Sequence, residues 1–231
     1  MKKLFIIQTN YIPWKGYFDA LNMVDEVILY DDMQYTKNDW RNRNKVKTAQ
    51  GAQWLTIPID VKGKLHQKIN EAVVSDRYLD WRENHWKTLQ MNYSKAAHFK
   101  TYADVFEGLY KNDNEIHLSK INHSFISAIN SILGIKTPLR WSNEFELKGD
   151  KTEKLVNLCK ETNTTDYLTG PSAKDYLDDS LFKNEGINVH YINYSDYPKY
   201  TQLYGDFVHE LSILDLLFNE GPNAYKFMKS F

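Results

Sequence analysis

Polar and ionisable residues follow two short apolar segments near the start of the chain. Segments 3–8 and 26–30 are short and apolar, which predicts buried strands. Side chains able to hydrogen bond or stack lie at the end of each segment or directly after it: Gln8, Asn10, Tyr11, Trp14 and Lys15 at the first, and Asp31, Asp32, Gln34 and Tyr35 at the second. Ligands of open parallel sheets bind beyond the carboxyl ends of the strands, so we expect both loops to line one substrate-binding site.

Two carboxylates and one histidine are the candidate catalytic groups. Asp31 and Asp32 could accept a proton as a general base, or could bind a metal, ribose hydroxyls or an amine. Successive strand residues point to opposite faces, so we expect one of the pair to face the site. The structural alternative is a loop whose acids accept hydrogen bonds from turn amides. His85, on a predicted helix, is the second candidate base, with a packed or solvated histidine as the alternative.

A basic segment comes next along the chain. It contains the predicted binding residues Trp40, Arg41, Asn42 and Arg43, followed by Lys45 and Lys47. Its four cations occupy alternate positions, so an extended chain places them on one face. Arginine binds phosphate through two parallel hydrogen bonds, which predicts a nucleotide-sugar diphosphate as ligand. A solvated strand face and a nucleic acid stacked on Trp40 and Tyr35 are the alternatives.

A third loop, at 169–176, leads from a short predicted strand into a helix predicted over 172–183. Ser172 with Asp175 three residues later resembles a capping box, which indicates a helix start. The amides near Gly170 and Ser172, together with Lys174, could also bind an anion. Ser212 shows the same capping spacing and is predicted to be structural.

Composition narrows the classes of protein. The 231 residues include 29 basic and 30 acidic side chains, so no broad attraction to nucleic acid or anionic membranes is expected. The apolar runs fall far short of the ~20 residues of a membrane span, and the start of the chain favours a cytoplasmic protein. A single cysteine, Cys159, excludes a disulfide framework and is expected in the core. No histidine spacing indicates a metal site, and no motif identifies a cofactor.

The elements that must position these residues alternate between strands and helices. This order predicts an α/β fold: a mostly parallel sheet flanked by helices, with an added β-hairpin and helical lobe. The hairpin is predicted at 45–48 and 53–59. Helices are predicted between 78 and 133, where Leu79, Trp86, Leu89 and Tyr93 form a loose stripe and Gly134 gives a stop. The whole chain, 1–231, is predicted to be one domain with an inserted lobe at about 38–135.

These motifs together resemble those of the WbqC-like family, nearly from end to end. The resemblance lies in Ile7–Phe18, Asp31–Tyr35, Trp40–Asn44, Tyr167–Ser172 and Leu211–Asn219. Three positions depart from the expected pattern: Thr9 stands in place of Pro, Ser172 in place of Ala, and Ile7 where many members have His. The resemblance supplies no catalytic residues, so the site assignments rest on the residues themselves.

The resemblance implies a role in O-antigen or surface-polysaccharide biosynthesis, with attachment of an amino acid such as glycine to an amino sugar. We therefore expect a transferase whose partners are a nucleotide-linked or lipid-linked amino sugar and an activated acyl or aminoacyl donor. In this hypothesis Asp31 or Asp32 accepts the proton of the attacking amine. A tRNA could carry an aminoacyl donor. A non-catalytic sugar-nucleotide-binding partner and an RNA-binding module are the competing hypotheses.

Overall fold

Five parallel strands form the central sheet of the protein. The structure, a computed structural model, describes residues 1–78 and 80–231, so the predicted stripe position Leu79 lies outside the described residues. The strands are β1 (Lys3–Ile7), β2 (Glu26–Leu29), β3 (Arg43–Thr48), β4 (Gly51–Thr56), β5 (Leu139–Trp141), β6 (Asp166–Thr169) and β7 (Asn188–Tyr191). The sheet has the order β5-β2-β1-β6-β7, which confirms the predicted α/β class with a mostly parallel sheet.

This strand order creates a switch point. From β1 the chain moves outward through β2 to β5, then returns to the other side of β1 to form β6 and β7. The loops that follow β1 and β6 therefore leave the sheet in opposite directions, which opens a crevice between them. Such crevices, beyond the carboxyl ends of the strands, are the usual ligand sites of open α/β sheets.

Seven α-helices surround the sheet within the described part of the chain. They are α1 (Lys15–Asn22), α2 (Trp81–Tyr93), α3 (Phe99–Lys111), α4 (Leu118–Leu133), α5 (Lys151–Glu161), α6 (Asp179–Asn184) and α7 (Ile213–Glu220). The predicted stop of α4 at Gly134 is confirmed, since Gly134 caps the helix with a φ of 73° that glycine adopts without strain. None of the helices in the described ranges is long and apolar enough to cross a membrane.

The two faces of the sheet bury different helices. Leu4, Ile6 and Ile28 pack with α5 and α6 in one cluster, which also holds the buried Cys159 as predicted. Phe5 of β1 packs with Val27 and Leu29 of β2 in a second cluster, on the other face, together with α1, α4 and α7. The helices α2 and α3 and the hairpin residues belong to this second cluster too. The 38–135 segment therefore shares a core with the sheet.

The predicted β-hairpin is confirmed, with different bounds. β3 pairs antiparallel with β4 from Arg43–Thr56 to Thr48–Gly51, around the two-residue turn Ala49-Gln50. Gly51 has a φ of 107°, which explains a glycine directly after the turn. Leu55 and Ile57 are buried while Trp54 is exposed, so the predicted alternation of apolar and exposed positions is present.

The helix predicted over 172–183 is wrong. Residues Pro171–Asp175 form a short 3-10 helix with Gly170 as its N-cap, and the amide of Leu177 closes it by donating to Ala173. A separate helix, α6, then begins at the capping side chain of Asp178. Ser172 caps neither helix, because Pro171 already sets the first turn and the chain leaves the helical path five residues later.

The cap at Ser212 was predicted correctly, whereas strand β5 was missed. Ser212 accepts a hydrogen bond from the amide of Leu214, so its predicted structural role as the cap of α7 is confirmed. Strand β5 is absent from the elements predicted above, and a short 3-10 helix, Ser142–Glu144, follows it directly. A strand of three half-buried residues is too short to show a periodicity.

Candidate functional site

A cleft of about 720 Å³ lies at the switch point of the sheet, and we call it the switch-point cleft. Loops that follow four strands contribute to it: Gln8 after β1, Met33 after β2, the segment 170–173 after β6, and Tyr194 after β7. Aromatic rings form much of its wall, namely those of Tyr30, Trp40, Tyr167, Tyr176 and Tyr194. Loops from distant parts of the chain thus converge at one edge of the sheet.

Two lysines give the switch-point cleft its charge. Lys151 and Lys154 line it from the first turns of α5, where a spacing of three residues places them on one helix face. No aspartate or glutamate is among its lining residues in the described part of the chain. At the neighbouring edge, Arg41 donates to the Gln8 side chain over 3.1 Å and pairs with Asp39 over 2.6 Å. The electrostatics therefore favour an anionic ligand.

A smaller compartment of about 280 Å³ adjoins the cleft, and we call it the tryptophan hollow. Its lining residues are Asn10, Pro13, Trp14, Trp40, Asn44 and Glu210. Trp40 lines both compartments, which makes them neighbours. One side chain therefore stands between a larger, positively charged space and a smaller, aromatic one.

The indole of Trp14 owes its position to Gly16. A Cβ atom added at Gly16 would lie 2.4 Å from Cζ2 of Trp14, so the ring rests directly on the first turn of α1. Tyr194 and Tyr197 contact the other edges of the ring, with centroid distances of 5.3 and 5.5 Å. The run Trp14-Lys15-Gly16 thus fixes one wall of the hollow.

The backbone of the same loop is strained. Ile12, a buried β-branched residue, has a φ of 38°, in the left-handed region that such residues avoid. Asn44 holds it by donating to the carbonyls of Tyr11 and Ile12 over 3.2 and 3.0 Å. The amide of Ile213 donates to the Pro13 carbonyl on the far side. Strain that several elements hold in place is frequent at binding and catalytic sites.

Asp31 and Asp32 lie outside both compartments. Asp31 is 1% exposed and accepts hydrogen bonds from the amide and hydroxyl of Thr9 and from the hydroxyl of Ser119. Burial raises the pKa of this carboxyl, although those hydrogen bonds oppose the rise. Asp32 turns the other way, towards Ser142, Asn70 and Lys68 at the β2–β5 edge. In this structure the pair joins elements of the fold.

His85 and Tyr11 belong to a buried aromatic cluster. The Nδ1 atom of His85 lies 2.9 Å from the Tyr11 hydroxyl, which lies 2.5 Å from the hydroxyl of Tyr110. Burial lowers the pKa of His85 to about 3, so the imidazole is neutral at physiological pH. These groups join the first loop to α2 and α3 beneath the hollow.

The four alternating cations have four different environments. Arg41 precedes β3 and turns towards Gln8, whereas Arg43 stacks on Trp54, with 4.1 Å between its Cζ atom and the ring centroid. Lys45 pairs with Glu210 over 3.6 Å, and the ammonium of Lys47 is buried against the 202–206 segment. Asn42 is buried and donates to the Ile57 carbonyl. The alternation places Arg43, Lys45 and Lys47 on one face of β3, whereas Arg41 lies outside the strand, and the folded chain divides their charge.

The remaining predicted binding residues fall into two groups. The structure brings together Gln8, Asn10, Trp14, Trp40, Gly170 and Ser172 around the two compartments. It places four others elsewhere: Lys15 donates to the Pro198 carbonyl, Gln34 donates to the Leu65 carbonyl, Tyr35 is buried, and Lys174 lies over the ring of Tyr191. Burial also lowers the pKa of Lys15 to about 8.

Sequence reasoning missed Lys151, Lys154, Tyr176 and Glu210, all of which line a compartment. Two lysines three residues apart at a helix start are visible in the sequence, but only the strand order shows that this helix borders the cleft. Glu210 carries no local signal, because its role depends on a contact with residues about 170 to 200 positions earlier in the chain. Tyr194, which belongs to a tyrosine-rich stretch of the sequence, is also a wall residue.

Comparisons with known proteins identify the family of the chain. The model of the WbqC-like protein family matches residues 8–227, so the chain belongs to this family and the resemblance seen in the sequence is confirmed. A curated relative from Mycobacterium tuberculosis (strain ATCC 25618 / H37Rv), uncharacterized protein Rv1507c, is 49% identical over 229 residues. The alignment covers 99% of this chain and 98% of that relative. No solved structure matches the chain.

Proposed function

We propose that the protein binds a nucleotide-linked amino sugar and transfers an acyl or aminoacyl group, for example glycyl, to its amino nitrogen in surface-glycan biosynthesis. One observation carries this proposal: a positively charged cleft and an aromatic hollow meet at Trp40, at the switch point of a parallel sheet. Two adjoining compartments of different character suit a substrate with a charged and a sugar-like part.

The cleft suits the nucleoside diphosphate part. Its volume of about 720 Å³ lies within the ~300–1,000 Å³ range of small-molecule sites. Lys151 and Lys154 supply point charges for the phosphates, and Arg41 adds charge at the edge through Gln8. Tyr176, whose side chain is 62% exposed and lines the cleft, offers a ring on which a nucleobase can stack.

The proposed transfer forms one bond and breaks another. The sugar nitrogen attacks the carbonyl carbon of an activated donor, a thioester or an aminoacyl ester, and the carbon–nitrogen bond replaces the bond to sulfur or oxygen. The nitrogen loses a proton, and the leaving group gains one. The buried positions of Asp31 and His85 favour a positioning role for both in this reaction, in which each fixes the first loop against its neighbours.

One observation favours a second candidate function, that of a non-catalytic binding partner. None of the three candidate acid–base groups, Asp31, Asp32 and His85, lines either compartment in the described part of the chain. A protein that presents a nucleotide sugar to a separate enzyme needs the cleft but needs no base of its own. Turnover by the purified protein distinguishes the two functions.

Binding is tested by calorimetry with UDP, GDP and dTDP. We expect at least one of them to bind, and we expect the variants Lys151→Ala and Lys154→Ala each to weaken binding about tenfold, or about 1.4 kcal/mol. Lys183→Ala, at an exposed lysine on α6, is the matched control and should leave the affinity unchanged. Equal affinities of all three variants and the parent protein, or no binding of any diphosphate, would contradict the proposal.

Transfer is tested by mass spectrometry. The protein is incubated with a nucleotide-linked amino sugar and, in separate reactions, with acetyl-coenzyme A or glycyl-tRNA. An increase in the mass of the nucleotide-linked sugar by that of the transferred group would support the transferase. Tight binding of the nucleotide sugar without any product from either donor supports the binding partner instead.

A further inference from the structure

We infer that the tryptophan hollow holds the pyranose ring of the substrate and that Glu210 selects a sugar carrying a free amino group. This inference rests on the proposed function and extends it, because it assigns the sugar and its amino group to particular residues. It concerns recognition only, and it assigns Glu210 no part in the transfer itself.

The hollow has the size and lining of a monosaccharide subsite. Its volume of about 280 Å³ is just below the ~300–1,000 Å³ range of sites for larger ligands, which suits a ligand of one ring. Trp14 and Trp40 give it two indole walls. The C–H faces of a pyranose are apolar while its rim carries hydroxyl groups, so such a ring can bury its faces on indoles and direct its rim to polar neighbours.

Both walls are fixed before any ligand binds. Trp14 rests on Gly16 and contacts Tyr194 and Tyr197. Trp40 packs against Trp54 with 5.4 Å between the ring centroids and 44° between the ring planes, and its carbonyl accepts a hydrogen bond from the amide of Tyr11. A preformed site loses less conformational entropy on binding, which favours affinity for a small ligand.

The polar residues of the hollow match the rim of an amino sugar. Asn10 and Asn44 bring amide groups, and Oδ1 of Asn10 is buried without a hydrogen-bond partner among the described residues. Glu210 is the one ionisable side chain that lines the hollow in the described part of the chain, and it is 77% exposed. The ammonium of Lys45 lies 3.6 Å from its Oε2 atom, so the carboxylate already accepts a cation from one side.

Trp40 connects this subsite to the proposed diphosphate site. Because Trp40 lines both compartments, a sugar attached to a diphosphate in the switch-point cleft would lie next to the hollow. The amino group would then face Glu210, while a neutral hydroxyl or an N-acetyl group at the same position would leave that carboxylate without a second cation. The hollow therefore favours amino sugars over neutral sugars with the same nucleotide.

Calorimetry with UDP, UDP-glucosamine and UDP-glucose tests this selection. We expect the parent protein to bind UDP-glucosamine about tenfold more tightly than UDP-glucose, and Glu210→Gln to remove the difference while the affinity for UDP itself changes by less than about twofold. Glu83→Gln, at an exposed glutamate of α2, is the matched control and should keep the preference. Equal binding of both sugars by the parent protein would overturn the inference while leaving the diphosphate site intact.

A second measurement tests the hollow even if UDP does not bind, an outcome that would count against the proposed function. Free glucosamine and free glucose are titrated at mildly acidic pH while tryptophan fluorescence is recorded. We expect glucosamine to change the emission at lower concentrations than glucose, and Trp14→Phe or Trp40→Phe to reduce that change. No response to either sugar, or the same response in Glu210→Gln, would overturn the inference.

Discussion

At the residue scale, the walls of the site depend on small and buried partners that hold larger side chains still. Gly16 leaves room for the Trp14 indole, and Asn44 holds the strained backbone of Ile12. Asp31 ties Thr9 to Ser119 and so fixes the first loop against α4. These contacts are made within the protein, and their consequence for a ligand is the fixed shape of the hollow.

Replacement of Gly16 by alanine tests this dependence. The new Cβ would lie 2.4 Å from the Trp14 ring, so we expect the indole to shift and the free energy of unfolding to fall by about 1–3 kcal/mol. The shift should also alter tryptophan fluorescence and weaken any sugar binding in the hollow. Urea unfolding and emission spectra measure both effects.

Gly108→Ala is the matched control for that variant. Gly108 is an exposed glycine within α3, and a Cβ there meets no atom within 4 Å. Alanine has a higher helix propensity than glycine, so the free energy of unfolding of this variant should rise by about 0.5–1 kcal/mol. If Gly16→Ala were as stable as Gly108→Ala, the contact between Trp14 and Gly16 would not be the constraint described here.

At the scale of elements, the segment after β6 shows how a helix start can mislead. Ser172 and Asp175 have the spacing of a capping box, yet the chain there forms a short 3-10 helix and places Ser172 on the rim of the cleft. The helix that follows begins at Asp178, whose side chain accepts from the amide of Ser180 over 3.0 Å. The exposed Ser172 is thereby left accessible to a ligand.

This difference predicts opposite results for two alanine substitutions. Asp178→Ala removes the cap of α6 and should lower the free energy of unfolding by about 1 kcal/mol. Ser172→Ala removes no cap and should leave stability within about 0.5 kcal/mol of the parent protein. Thermal or urea unfolding of both variants measures these effects. A larger loss of unfolding free energy in Ser172→Ala than in Asp178→Ala would support the predicted capping role of Ser172.

At the scale of the whole molecule, one buried polar network joins α2 and the hairpin to α7. Asp215 of α7 accepts hydrogen bonds from the hydroxyl of Tyr93 on α2, over 2.8 Å, and from that of Tyr200, over 2.7 Å. Tyr93 in turn accepts from the amide of Lys47 in the hairpin. Burial raises the pKa of Asp215, whereas the hydrogen bonds from Tyr200 and Tyr93 oppose that rise because they stabilise the carboxylate.

The network predicts coupled effects of Tyr93→Phe and Tyr200→Phe. Each removes a hydrogen bond to a buried charge and should cost about 2 kcal/mol. Both hydroxyls bind the Asp215 carboxylate, so their effects should not be additive. The loss of unfolding free energy in the double variant should differ from the sum of the two single losses by at least about 0.5 kcal/mol. Urea unfolding measures these free energies. Tyr225→Phe, at an exposed tyrosine, is the control, and its effect on the free energy of unfolding should be additive with that of Tyr93→Phe.

The same variants should change the response to pH. The folded pKa of Asp215 lies above its unfolded value, so its contribution to stability is largest below about pH 4 and declines as the pH rises through the folded pKa. Loss of the tyrosine hydroxyls raises the folded pKa further and widens that window. A pH dependence in the double variant no steeper than in the parent protein would contradict the proposed charge on Asp215.

The sequence by itself determined the features that depend on near neighbours. The buried strands β1 and β2, the hairpin, the stop of α4 at Gly134 and the cap at Ser212 follow from hydrophobic alternation, turn residues and capping side chains within a few positions. The same local rules directed attention to the loops after β1 and β6, where Gln8, Trp14 and Gly170 line the compartments.

Only the tertiary structure decided which of the candidate side chains meet. Strand order, and with it the switch point, arises from pairing between segments more than a hundred residues apart, such as β1 with β6. Long-range packing also brings Lys151 to the cleft, Glu210 to the hollow and Ser119 to the buried Asp31. Local periodicity fixes which face of a strand a residue occupies, whereas its neighbours across space depend on how all the faces are buried at once.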